Sequence, residues 1–164
     1  LDRLPVGKAV TAATLLVART LPDGKWNRLD PAGAAAVSSA DEVVCLPGFK
    51  ADVKLDTGVV VSLWGNVPEH LAGRLLEARV RFHPPTAKAD GGGFDVDAEL
   101  TVVAGRVYVS GAKAGLRVRV RAAGEVFDLT LADRAEVAVE VTTAFEPGVP
   151  FLRTAGPPPR SDVK

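Results

Sequence analysis

Three carboxylates at alternate positions, Asp95, Asp97 and Glu99, have the type and spacing that could do chemistry. Hard cations such as calcium want several oxygens, and glycoside hydrolysis wants two carboxyls. Between them stand Phe94, Val96, Ala98 and Leu100. That period of two marks a strand with one wet and one dry face. Side chains two apart on a strand project in parallel rather than converge on an ion. A solvated, salt-bridged face is therefore expected here. Gly91, Gly92 and Gly93 do not lead from a strand into a helix, as a phosphate cradle must, and read as a hairpin tip. Ser38 and Ser39 lie near Asp41 with no histidine in the local pattern, and His70 and His83 are isolated. Neither a serine nucleophile nor a metal pair is expected.

Cys45 is the single cysteine, which excludes an internal disulfide framework and a cysteine zinc cluster. Its neighbours Val43, Val44 and Leu46 make it a small buried filler. Trp26 and Trp64 could stack on a sugar. In a chain with only 5% aromatic residues they are expected instead to fill the core. Phe49, Phe82, Phe94, Tyr108, Phe127 and Phe145 are expected there too. No catalytic, cofactor-binding or metal residue is assigned, no cofactor is expected, and the chain is not expected to be an enzyme.

The elements that must hold these residues are strands. Hydrophobic content of 47% over 164 residues is enough for one packed core. With so few rings, that core must be valine, leucine and alanine, and β-branched side chains favour a pleated surface. Sixteen glycines and twelve prolines supply the turns. Thr14–Ala18 reads as an opening strand, stopped by the turn signal Leu21-Pro22-Asp23-Gly24. Asp41–Leu46 is a short strand. Residues 49–55 alternate cleanly and turn at Asp56-Thr57-Gly58 into Val59–Trp64, which is apolar on both faces and so interior to its sheet. A helical turn is expected near His70–Glu77.

Ala78, Val80 and Phe82 should face inward, with Arg79 and Arg81 outward. Pairing Phe82 with Phe94 would set Arg81 against Asp95 and Arg79 against Asp97, a register favoured by charge. A strand at Arg106–Ser110 follows. Arg117, Arg119 and Arg121 then alternate with Val118 and Val120, turn at Ala122–Glu125, and return through Val126–Leu131. Glu136 and Glu140, on the next strand, are the expected partners of that arginine ladder. Twenty basic and twenty acidic residues balance to zero. A nucleic-acid partner, which would want a basic excess, is therefore not expected. Residues 1–145 are expected to form one β domain and residues 146–164 a proline-rich linker or tail. The fold class expected is all-β, with mostly antiparallel twisted sheets in a solenoid-like or sandwich arrangement of consecutive hairpins.

The chain starts at Leu1 and has no methionine, so it is expected to be a piece of a longer protein. No apolar run approaches the roughly 20 residues of a membrane-spanning helix.

Several stretches carry a resemblance. Trp26-Asn27-Arg28-Leu29, Gly33-Ala34 and Ser39-Ala40-Asp41-Glu42-Val43 are followed by the hairpin from Leu46 to Val59. Later comes Leu100 to Val109, containing Gly105-Arg106-Val107. Over residues 10–145 these strand-and-turn patterns resemble the FecR family of bacterial extracytoplasmic regulators, in an Ala- and Val-rich form similar to planctomycete-type versions. The resemblance implies an all-β domain with a periplasmic or extracytoplasmic position. It also implies an anchor in the inner membrane through a segment of the parent outside this chain. The implied role is signal transduction to a sigma factor through contact with a protein partner, a receptor or other envelope protein. The alternative expectation is a β-sandwich module of a cell-surface protein that binds glycan or envelope.

Overall fold

The computed structural model describes residues 3–11, 14–30, 35–65, 77–89, 91–144 and 160–163. All regular structure among them is β. In chain order the strands are β1 (Pro5–Ala9), β2 (Leu16–Thr20), β3 (Asn27–Arg28), β4 (Ala36–Ser38), β5 (Asp41–Cys45), β6 (Lys50–Leu55), β7 (Val59–Trp64), β8 (Ala78–His83), β9 (Thr86–Ala87), β10 (Phe94–Val96), β11 (Ala98–Gly111), β12 (Arg117–Ala122), β13 (Glu125–Thr130), β14 (Glu136–Ala144) and β15 (Arg160–Val163). The all-β, mostly antiparallel expectation holds.

Thirteen strands form one sheet that curls into a half-barrel, and β9 with β10 makes a separate two-stranded ribbon. The curl is organised by β11, which at 14 residues serves both halves. Its first part, Ala98–Ala104, lies between β8 and β12, and its second, Gly105–Gly111, between β7 and β14. One half therefore runs β3-β2-β5-β8-β11-β12-β13 and the other β4-β1-β6-β7-β11-β14-β15. Gly105 sits at the changeover with φ of 81°, and a Cβ there would strike the backbone carbonyl oxygen of Glu77. Only glycine allows this close crossing.

Between the halves lies one core, built from alternate residues such as Val43, Cys45, Val53, Val61, Leu63, Val80, Phe82, Leu100, Val107, Val109, Val118 and Val120. Strands β8 and β12 show the alternation cleanly. Burial of such side chains, worth roughly 25 cal/mol per Å², is what holds the halves together. As expected, β7 is interior, paired to β6 and β11. The turn after β2 is closed by Gly24 N–H to Thr20 O at 2.8 Å.

Three expectations need correction. First, Phe82 lies opposite Leu100, not Phe94, so β8 pairs with β11 six residues out of the expected register. An even slip keeps every side chain on its face, and the apolar fit of Val80 and Phe82 to Val102 and Leu100 decides it. Phe94 pairs instead with Ala87 in the ribbon. Second, the arginines of β12 do not meet Glu136 or Glu140, because β12 lies between β11 and β13 and pairs with β11 in parallel. Third, of the expected core rings only Phe82 is fully buried, while Trp26, Phe49, Trp64, Phe94 and Phe127 are exposed. Two valine-rich layers in close contact leave little room for large rings inside. Phe145 and the helical turn at residues 70–76 lie outside the described residues, as do residues 146–159 of the tail. Arg160–Val163 pair with β14 as β15.

Candidate functional site

The carboxylates of residues 95–99 are taken up by Arg117 and Arg121 and do not converge on one point. Asp95 meets Arg117 at 3.4 Å, Asp97 accepts the Arg117 backbone N–H at 2.8 Å, and Glu99 meets Arg121 at 2.7 Å. Arg119 completes the β12 ladder by gripping Asp128 with Nε and Nη2 at 2.7 and 2.9 Å. Gly91 and Gly93 have positive φ at the tip of the β9–β10 hairpin, as a loop tip requires. Ser38 N–H donates to Asp41, and Ser39 Oγ accepts from Leu4 N–H at 3.1 Å. His83 shares a hydrogen with Thr101 Oγ1 at 2.8 Å, and burial lowers its pKa. Cys45 is the buried filler its neighbours imply: its Sγ faces Phe49 O at 3.3 Å, and burial pushes its pKa up.

Two features were not foreseen. The first is Glu42, fully buried on the outward face of β5. Its cross-strand neighbours are Arg19 on β2 and Arg81 on β8. Arg81 Nε reaches it at 2.7 Å, Arg19 Nη2 at 3.0 Å and Arg79 Nη1 at 3.8 Å. Burial raises the carboxyl pKa, but hydrogen bonds from Arg81 and Arg19 and the charges of Arg81 and Arg79 outweigh it and hold it below the usual range. The signal was an acid placed on the same strand face as Val44, across from arginines at alternate positions of β8.

The second is β13. It is the last strand of its half and pairs only with β12 among the described residues. Every residue but Leu129 is exposed, with Val126 at 50% and Phe127 at 40%. Its far end borders a cleft of about 520 Å³ lined by Thr86, Asp95, Val96, Arg119, Asp128 and Leu129 among others. The two-residue turn Ala123–Gly124 has positive φ at both positions, 47° and 89°, the type I′ geometry that fits strand twist. It makes Ala122 and Glu125 the closing hydrogen-bonded pair. Alternation along the ladder then aims the main-chain groups of Val126 and Asp128 at the open edge.

On the outer face of the other half, Trp64 stacks at a 48° tilt on Tyr108, centroids 4.9 Å apart, with Lys50 Nζ 4.8 Å over its ring. No family of known proteins, no curated protein and no solved structure matches the chain.

Proposed function

We propose that this chain is a non-enzymatic β domain of a larger membrane-anchored protein that works by protein–protein contact. The partner adds an extended segment to β13. The carrying observation is the contrast among the edges. The outermost strands β3, β4 and β15 have two, three and four residues, whereas β13 has six. Proteins blunt open edges with short strands, lysine, proline or bulges. The β13 strand has no lysine or proline and an unbroken register, yet it exposes Val126 and Phe127. An added strand gains main-chain hydrogen bonds from the edge and specificity from alternate side chains.

The FecR resemblance supplies the setting we propose: an extracytoplasmic domain reporting to a sigma factor. The test is a photo-crosslinking residue at the exposed Phe127 in the parent protein in cells, with one at Lys50 as control, read beside a sigma-factor reporter. A single product from position 127 is expected, lost when Val126→Pro is added, which removes an edge N–H and spares the β12 ladder. The same substitution should abolish the reporter response. A response unchanged by Val126→Pro would overturn the reading. Protease cleavage in spheroplasts but not intact cells is the expected topology.

A second reading, a glycan- or envelope-binding surface module, is favoured by the exposed Trp64 beside Tyr108. It predicts tryptophan fluorescence changes with soluble glycans that Trp64→Ala removes.

A further inference from the structure

Away from the β13 edge, the outer face of β2, β5 and β8 holds more positive charge than its carboxylates use. Arg19, Arg79 and Arg81 converge on Glu42, and Glu77 takes a further bond from Arg79. Three guanidiniums thus face two carboxylates. We propose that Arg19, Arg79 and Arg81 form a binding site for a phosphate or sulfate group, preorganised by Glu42.

The geometry supports this in three ways. A carboxylate has about four acceptor positions, while each guanidinium brings five donors, so Glu42 orders the three side chains without exhausting them. Their side chains are 30%, 33% and 42% exposed for Arg19, Arg79 and Arg81, so the unused donors can meet a solute. Trp26 lies 4.6 Å from the Arg19 guanidinium and holds it by a cation–π contact. Planar forks held in place suit a tetrahedral oxyanion better than lysines would. On β12, by contrast, every arginine already has its own carboxylate.

The experiment is a titration of the ¹⁵N-labelled chain with inorganic phosphate at constant ionic strength, reading the arginine Nε–H signals. Saturable shifts are expected at Arg19, Arg79 and Arg81, with Arg117, Arg119 and Arg121 unmoved. Arg79→Met should weaken phosphate binding by about tenfold, the scale of one charge-assisted hydrogen bond, and Arg117→Met should not. Should Arg79→Met fail to fold, Arg79→Lys keeps the charge, loses the fork and is also expected to weaken binding. Glucose 6-phosphate and phosphatidylglycerol vesicles then distinguish a sugar-borne from a lipid-borne phosphate. Tighter binding of either carrier supports the site. Shifts shared by all six arginines, or no saturable shift with any probe, would overturn it.

Discussion

Two groups of three arginines occupy the same half of the sheet and meet their carboxylates in opposite proportions. On β12 each arginine has one partner, and the partners Asp95 and Asp128 are largely in water. Around β5 one fully buried carboxylate serves three arginines. Solvent can replace the Asp95 and Asp128 pairs, and exposed pairs of that kind are worth little. Glu42 is a single point on which three strands depend. Burial and stoichiometry, not the number of ion pairs, therefore decide which charges hold this fold.

Glu42→Gln removes the carboxylate on which the three arginines converge. Removing one partner of a buried ion pair costs about 3–5 kcal/mol. The three arginines can turn partly to water, so a loss of about 3 kcal/mol is expected in urea unfolding. The same residue should set acid sensitivity. Its folded pKa is depressed, so the unfolded chain takes up the proton first as pH falls. The stability it confers is full above the usual glutamate pKa of about 4.3 and is lost as pH falls through the folded value. Glu42→Gln should flatten that part of the pH profile. His83, also depressed, causes a separate loss that starts higher, as pH falls below about 6.5.

Next in size is Arg81→Met, which removes the shortest bond to Glu42 but leaves Arg19 and Arg79 in place. A loss of about 1–2 kcal/mol is expected, the range of a charged hydrogen bond reduced for its exposure. Combined with Glu42→Gln, the two losses should sum to more than the double variant shows, since the first removes what the second would break. Strict additivity would sink the idea that Glu42 organises the cluster. In the β12 ladder, Glu99→Gln on β11 should cost only about 0.2–1 kcal/mol, because its partner Arg121 remains half in water.

How much of this was legible depends on which force set each feature. Strands β6, β8 and β12 followed from period two, since alternation encodes a dry face directly, and β7 followed from its apolar run after the Asp56–Gly58 turn. The β12–β13 hairpin followed from its turn. What escaped was long-range. The pairing of β8 with β11 was set by apolar fit across the core, so local charge matching of Arg79 and Arg81 to Asp97 and Asp95 chose the wrong register. That error also hid Glu42, because its arginines had been assigned elsewhere. Trp26 and Trp64 were placed inside by size, whereas Trp64 belongs to the outward set with Val60 and Ser62 on β7. The openness of β13 was unreadable, because exposure of an edge depends on where the opposing half ends.

Salt should separate the two clusters most cleanly. Asp128 and Glu42 both have lowered pKa values, Asp128 through the hydrogen bond and charge of Arg119. Their surroundings differ: Asp128 is in solvent, and Glu42 is sealed under three side chains. At 1 M salt the screening length is about 3 Å, enough to weaken an exposed pair but not one from which ions are excluded. A carboxyl ¹³C titration at low and high salt should therefore move Asp128 back toward the ordinary aspartate range and leave Glu42 depressed. Equal movement of both would mean that salt reaches Glu42, and that the two clusters differ in number of arginines but not in kind.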